Sequence, residues 1–325
     1  SYNFFLLFTL CLITRLLSSI NYSEDIDSLR FALSLIDYNI LELRPHFPGY
    51  PVFCFFVKFI YTFTNSIQYS FALIGGLSIG VIITFSIKIY KILFNSDFNF
   101  LIILIFFNPF LWILSNRYMS DLFGLSITVV CIYFLIKYVY SQNIRDKHIY
   151  VFFSAILLGT RASFFPILFP GFIYIIYTSK FRYNLISIFI FILTIFVWLI
   201  PLLFITGFYE FIDVAYRHIN GHFFIWGGGV TASDANYFTR ISSIFQGIWS
   251  DSLGGWWPGR HWLTLLLSFF YIIFSILGIK NILYNNILFK RGIIIIAFSL
   301  ITYFIWIFLF QNVIYKPRHA IPLIP

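Results

Sequence analysis

The sequence predicts an all-α membrane protein, a polytopic helical bundle with about ten spans, the last of them truncated. Of the 325 residues, 60% are hydrophobic and 10% are charged, and the mean hydropathy is +0.90. Soluble domains carry about 25% charged residues. The aromatic content of 23% is also too large for one soluble core. Apolar runs of about 20 residues, the length that a spanning helix needs, recur along the chain.

Apolar runs bounded by charge supply seven of these spans, at 4–20, 66–89, 98–115, 119–140, 185–206, 262–279 and 292–311. A further one begins near Ala320. The stretch 149–177 is divided into two short spans, 149–160 and 162–177, because one long helix would leave Arg161 near the bilayer centre at a cost of about 2.5–3.5 kcal/mol. Arg15, in the first run, is expected to reach the outer interface with its long side chain.

The segment 51–64 is short for a span and carries Lys58. If it does not cross, the Lys-rich and Arg-rich connections all fall on one side, which the positive-inside rule makes cytoplasmic. The inside then has 10 Lys/Arg and 2 Asp/Glu, and the outside has 11 Lys/Arg and 10 Asp/Glu. If the segment crosses, this agreement breaks. The dispersed basic residues do not indicate nucleic-acid binding.

Three further features concern the whole chain. Cys11, Cys54 and Cys131 lie in apolar stretches without metal-like spacing, so we expect core residues rather than disulfides or a zinc site. The chain begins at Ser1 and not at Met, and we expect a fragment of a single domain over 1–325. Two long outer loops, 21–65 and 207–261, contrast with short inner connections, which predicts a functional site on the extracytoplasmic side.

The first outer loop contains a candidate amphipathic helix that Ser23 could cap. Leu29, Ala32, Leu33 and Ile36 follow at helical spacing and would face the interface. Asp27, Arg30 and Ser34 form a polar stripe, so Asp27 would point away from lipid. The alternative is a solvated surface acid paired with Arg30.

Other polar residues stand at turns and helix starts. His46 lies in the Pro-rich turn 44–51, which is either a rigid connector or part of a site. Ser120 and Asp121 open a helix, and ordinary helix capping explains them as well as function does. Arg161 at membrane depth needs an acidic or carbonyl partner. Lys316 and Arg318 stand before His319; interfacial anchoring alone would explain Lys316, and Arg318 is either an anchor or a site residue.

The second outer loop is rich in Gly, His and Trp. It contains Arg217, His218, His222, Trp226, Asp234, Arg240 and the run 254–260. Its tryptophans could form a sugar-stacking wall, although an interfacial aromatic belt is the more common cause of such a pattern. The sequence contains no nucleotide-binding glycine motif, zinc spacing or nucleophile elbow, which argues against a nucleotide-driven pump or a soluble-type hydrolase.

Five motifs resemble, in their order along the chain, those of GT-C superfamily membrane glycosyltransferases, the polytopic enzymes that include protein mannosyltransferase and aminoarabinose transferase relatives. They are Asp27 to Leu33, Pro45 to Pro51, Asn108-Pro109 with Ser120-Asp121, Gly159 to Ser163, and Arg318 to Pro322. His319 stands where relatives often have Tyr, and we expect this chain to lack the soluble C-terminal domain that some members carry.

The resemblance implies a hexosyltransferase-type enzyme with a polyprenyl-phosphate-linked sugar as donor and a lipid, glycan or protein acceptor. It implies that Asp27 is the catalytic base, with Asp25 as a rival, and that Asp121 is a second catalytic acid. Arg161 and Arg318 would bind the donor phosphate, and His46, His319 and His222 are further candidates for substrate binding. No cofactor is certain, and a divalent metal remains open.

Two other functions remain open at this point. A transporter or flippase of lipid-linked glycans would use outer arginines for phosphate without needing a base. An assembly subunit with a degenerate site would tolerate loss of Asp27, Asp121 and Arg318 together. In all three cases membrane lipids surround the chain, which is an integral multi-pass protein.

Overall fold

The computed structural model describes residues 4–226, 229–232, 236–284 and 290–324. Within these ranges the chain is helical and has no strand, only an isolated antiparallel bridge between Asn39 and Arg44. Asp234, in the second outer loop, lies outside the described residues. The prediction of an all-α protein is therefore correct for the described part.

The described α-helices follow one another in chain order. They are α1 (Phe4–Leu17), α2 (Ile26–Ser34), α3 (Pro51–Thr64), α4 (Ile67–Phe94), α5 (Phe100–Phe106), α6 (Pro109–Asn116), α7 (Asp121–Ser141), α8 (Ile144–Arg161), α9 (Phe169–Thr178), α10 (Phe181–Thr206), α11 (Phe208–Asn220), α12 (Tyr237–Gln246), α13 (Thr264–Tyr284) and α14 (Arg291–Phe310). Short 3-10 helices cover Ala162–Leu168, Val230–Ala232 and Pro317–Leu323, and π-helices cover Gly221–Ile225 and Gly247–Ser252.

Five described segments are long and apolar enough to cross a membrane: Ile67–Phe94, Asp121–Ser141, Ile144–Thr178, Phe181–Thr206 and Arg291–Phe310. Shorter apolar helices are Phe4–Leu17, Pro51–Thr64 and Thr264–Lys280. The number of ten spans is not reached by these criteria and stays a prediction. Residues from Ala320 onward belong to a 3-10 helix as far as Leu323.

The centre of the bundle is formed by α1, α4, α7 and α8, which pack against one another in sequence. Glycines let α4 approach its neighbours closely, as small residues do in membrane bundles. A Cβ on Gly75 would lie 1.7 Å from the backbone oxygen of Ser115, and one on Gly76 would lie 3.0 Å from the backbone oxygen of Cys11. All three cysteines are free and buried, as their apolar surroundings predict.

The predicted span 98–115 is not one continuous helix, because the chain breaks there into α5 and α6. Pro109 cannot continue the preceding helix, and Asn108 starts a new one by accepting hydrogen bonds from the backbone N–H groups of Phe110 and Leu111. This Asn-Pro pair is an N-cap followed by proline in the first turn. The apolar run therefore contains two short helices.

Arg15 also differs from its predicted place. Its side chain is fully buried in the bundle and does not reach toward an interface. It donates to the Ser115 hydroxyl at 3.1 Å and lies 3.8 Å from the ring centre of Trp112. Hydrogen bonds and cation–π contact thus replace the water that a snorkelling side chain would find.

The segment 144–178 folds back on itself at Arg161. Lys147 donates to Ser179 Oγ at 2.6 Å, whereas a straight helix would place these residues about 48 Å apart at its rise of 1.5 Å per residue. Tyr150 likewise donates to the carbonyl of Leu168 at 2.7 Å. The two halves therefore run side by side, and the reversal places Arg161 at an end of the bundle.

Both ends of α3 lie at the same end of the bundle as the first outer loop. Near its start, the ring of Tyr50 packs edge-on against Phe31 at 5.0 Å. Just beyond its end, Gln68 donates to Ser19 Oγ at 2.7 Å. Since Ser19 closely follows α1, where that loop begins, α3 lies across this end of the bundle.

Candidate functional site

The site begins at α2, the short helix of the first outer loop. Its N-cap is Asp25, whose carboxylate accepts the backbone N–H of Ser28 at 2.8 Å, so the prediction that Ser23 caps this helix is wrong. Leu29 is 47% exposed, whereas Asp27 and Phe31 are buried on the other face. The amphipathic pattern therefore directs Asp27 into the protein.

Three cations contact the Asp27 carboxylate. Arg318 Nη2 and Lys316 Nζ donate to Oδ2 at 2.7 and 2.8 Å, and Arg30 Nη1 lies 3.5 Å from Oδ1. Burial raises the pKa of Asp27, but the Lys316 hydrogen bond and the nearby positive charges outweigh burial and hold this pKa well below its usual value. The Asp27 carboxylate is thus ionised, and both of its oxygens lie next to cationic side chains.

Arg318 joins this acid to the helix cap. Its Nη1 donates to Asp25 Oδ2 at 3.1 Å, and Arg117 Nη2 binds the same oxygen at 2.9 Å. Arg117 also pairs with Glu24. Asp25, the sequence rival of Asp27, therefore supports the start of α2 and orients Arg318.

A second buried ion pair joins α7 to the end of α8. Arg161 Nη2 donates to Asp121 Oδ1 at 2.7 Å, and Arg161 Nη1 donates to the Ser120 hydroxyl at 3.3 Å. The side chains of Arg161 and Asp121 are 4% and 1% exposed. A Cβ on Gly124 would lie 2.7 Å from Cβ of Arg161, so the glycine makes room for the arginine.

The Pro-rich turn supplies His46. Gly49 has a φ of +87°, which glycine adopts without strain, and Tyr38 donates to its carbonyl at 2.7 Å. His46 Nε2 is hydrogen-bonded to the Tyr50 hydroxyl at 2.9 Å, and His46 Nδ1 lies 3.8 Å from Asp27 Oδ1. Burial lowers the pKa of His46 to about 3 despite the opposing charge of Asp27, so the imidazole is neutral at pH 7.

Three imidazoles, which we call the histidine row, follow one another from the first loop into the second. The ring centres of His46 and His218 are 6.1 Å apart, and those of His218 and His222 are 6.3 Å apart with planes only 4° from parallel. Burial lowers the pKa of His218 to about 4. Trp226 meets the ring of His218 edge-on at 5.3 Å.

These residues surround a cavity of about 1060 Å³. Its lining includes six of the seven predicted site residues: Asp27, His46, Arg161, His222, Arg318 and His319. Asp121 is not in the lining and lies behind Arg161. The cavity therefore collects residues that are separated by almost 300 positions in the chain.

Several lining residues were not singled out by the sequence as site residues. Arg30, His218, Lys316 and Trp306 all border the cavity. Lys316 had a possible signal in its position two residues before Arg318, on the same short helix start. No such signal marks Trp306 in the sequence, because it stands among other apolar residues of α14.

No group of three or more His, Cys, Asp or Glu side chains within the described ranges could hold a metal ion. The histidine row does not form such a group, and its ring centres are 6.1 and 6.3 Å apart. The carboxylates at the cavity are bound by Arg and Lys. The described residues therefore offer cations for an anionic ligand.

The fold is like that of a solved membrane protein, and the apolar helices make the chain an integral, multi-pass protein. It is similar to the crystal structure of ArnT from Cupriavidus metallidurans bound to undecaprenyl phosphate, with a TM-score of 0.58 and 12% sequence identity. The match covers 98% of this chain and 57% of ArnT, so the chain spans little more than half of that protein's length. No protein-family model and no curated protein sequence matches the chain.

Proposed function

We propose that this protein is a glycosyltransferase that moves a sugar from a polyprenyl-phosphate-linked donor to an acceptor hydroxyl on the outer face of the membrane. One observation carries the proposal: a single cavity contains a buried carboxylate, Asp27, together with the buried arginines Arg161 and Arg318. This is the combination that transfer from a phosphate requires. The similarity to a fold that binds undecaprenyl phosphate in ArnT supports the same donor class.

In the proposed reaction, the Asp27 carboxylate takes the proton of the acceptor hydroxyl. The acceptor oxygen forms a bond to the anomeric carbon of the sugar as the bond from that carbon to the phosphate oxygen breaks. The electron pair of the broken bond stays on the phosphate, which leaves as polyprenyl phosphate with one additional negative charge. Arg161 and Arg318 stabilise that charge.

The cations around Asp27 give the reaction an order. Without donor, Arg318 and Lys316 are bound to the carboxylate, which makes Asp27 a weak base. Phosphate oxygens compete for the same cations, since Arg and Lys bind phosphate as well as carboxylate. Donor binding then weakens the contacts of Arg318 and Lys316 with the Asp27 carboxylate, and the pKa of Asp27 rises. Asp27 becomes a stronger base when the acceptor hydroxyl has to be deprotonated.

The two remaining acids act through arginines. Asp121 holds Arg161 through a 2.7 Å hydrogen bond from outside the cavity lining, so we assign it a positioning role. Asp25 holds Arg318 and caps α2. Neither has the direct access to the cavity that a base needs.

The decisive experiment compares Asp27→Asn with Asp25→Asn. The full chain is reconstituted in vesicles with a polyprenyl-phosphate-linked sugar, and transfer is followed by mass spectrometry of the glycolipids. Asp27→Asn should lower transfer by about 10²–10⁴-fold, the usual contribution of a general base. Asp25→Asn should lower transfer much less, since asparagine also caps helices well and Arg318 keeps its hydrogen bond to Asp27.

Equal transfer by Asp27→Asn and wild type would contradict the role of Asp27. Movement of intact donor across the vesicle membrane without any change in the glycolipids would instead favour a flippase.

A further inference from the structure

The cavity lining contains a group of uncharged polar side chains besides its cations. We call His46, His218, Trp226, Trp306 and His319 the neutral wall; all five border the cavity. Burial lowers the pKa of His46, His218 and His319, so these imidazoles carry no charge at pH 7. Uncharged polar side chains therefore line the same cavity as the cations.

Unpaired polar atoms are concentrated in this lining. Twelve buried side-chain atoms in the described part of the chain have no hydrogen-bond partner, and five of them belong to lining residues. Three of these atoms, His46 Nδ1, Trp306 Nε1 and His319 Nδ1, lie on the neutral wall. Buried polar groups are normally paired, so such atoms indicate a ligand with matching groups. Sugar hydroxyls, which both donate and accept, fit imidazole and indole nitrogens.

The charged side chains around the cavity sum to one positive charge, which a single anion would neutralise. Five lining residues are cations: Arg30, Arg161, Arg217, Lys316 and Arg318. Four carboxylates pair with them: Asp27, Asp25, Asp121 and Asp213. Arg117 and Glu24, which pair with each other next to Asp25, cancel. One positive charge remains.

A polyprenyl-phosphate-linked sugar is a phosphodiester with one negative charge, so it neutralises this excess. An ammonium or a carboxylate on the sugar would add a charge without a partner, which is costly in a buried site. We infer that the neutral wall is the sugar subsite and that it selects an uncharged sugar over an amino sugar or a sugar acid. This inference rests on the proposed function and names its substrate class.

The test measures binding alone. The purified full chain is loaded with a fluorescent polyprenyl phosphate, which is then displaced by the polyprenyl-phosphate derivatives of glucose, glucosamine and glucuronic acid. We expect the glucose compound to bind at least about tenfold more tightly than either charged analogue, because each analogue adds an uncompensated charge. Equal or tighter binding of a charged analogue would overturn the choice of an uncharged sugar while the proposed function stands. Failure of all three to displace the probe would overturn the proposed function as well.

A matched pair of variants locates the subsite. Trp306→Phe keeps an aromatic ring but removes the unpaired N–H. It should weaken binding of the glucose compound by about fivefold, which corresponds to the loss of one hydrogen bond. Its affinity for the sugar-free probe should not change. Trp262→Phe, at a tryptophan that is 67% exposed and not part of the lining, should change neither affinity. Equal weakening of probe and glucose compound by Trp306→Phe would show that the neutral wall does not hold the sugar.

Discussion

Asp121 and Arg161 depend on each other for their stability. Their side chains are almost fully buried, and Arg161 Nη2 donates to Asp121 Oδ1 at 2.7 Å. Removing one partner of such a pair leaves an uncompensated buried charge. We therefore expect Arg161→Gln to destabilise the protein by about 3–5 kcal/mol, seen as a lower thermal midpoint in detergent.

The double variant Arg161→Gln/Asp121→Asn separates stability from function. It should recover most of the lost stability, because neither charge is then left unpaired, but transfer should stay low without the phosphate-binding arginine. Lys91→Gln is the control, because the Lys91–Asp97 pair is exposed at both side chains and should contribute less than about 1 kcal/mol. A thermal midpoint for the double variant as low as that of Arg161→Gln would contradict the mutual dependence.

Individual residues were predictable where their chemistry is conspicuous in an apolar chain. Asp27, Arg161 and Arg318 are among the few charged residues of the chain, and each belongs to a motif that was recognised by its order along the sequence. All three border the cavity. His218 and Trp306 were not predictable as lining residues, because their role comes from what lies next to them in space.

At the scale of helices, Gly75 controls the packing of α4 against α6. A Cβ there would overlap the backbone oxygen of Ser115, which cannot rotate away as a side chain could. Gly75→Ala should therefore destabilise the protein by about 1–3 kcal/mol, the usual cost of overpacking. Gly278→Ala, in α13, is the matched control, because nothing described lies within 4 Å of its Cβ position.

The control should be neutral or slightly stabilising, since alanine favours a helix more than glycine does. Thermal midpoints of the two variants in the same detergent give the comparison. If Gly75→Ala is as stable as Gly278→Ala, the close approach of α4 and α6 is incorrect.

Helix boundaries followed from the sequence only where turn chemistry was read correctly. Dividing 149–177 at Arg161 agrees with the reversal of the chain there, which the Lys147–Ser179 hydrogen bond demonstrates. Treating 98–115 as one span missed the helix start at Asn108. Hydropathy does not detect such a break, because both short helices are equally apolar.

For the whole molecule, the orientation of α3 decides the topology. Exposed residues suit cysteine labelling, and the native cysteines are all buried, so background should be low. Cysteines at Glu42 and Asn65, on either side of α3, should react with an impermeant maleimide from the same side of the membrane. Cysteine at Ser96, just after the spanning helix α4, should react only from the other side. Labelling of Asn65 and Ser96 positions from one side would show that α3 crosses.

By itself, the sequence determined the membrane class, the helical architecture and the small set of charged residues from which a site could be built. Hydropathy and charge are local properties, and they need only a window of about 20 residues to be recognised. The tertiary structure alone decided that Asp27 from the first loop meets Lys316 and Arg318 near the end of the chain. It also decided that Asp121 lies behind Arg161, outside the cavity lining, and that uncharged side chains are part of that lining. Such contacts depend on how helices pack, and no local pattern encodes which distant side chain becomes a neighbour.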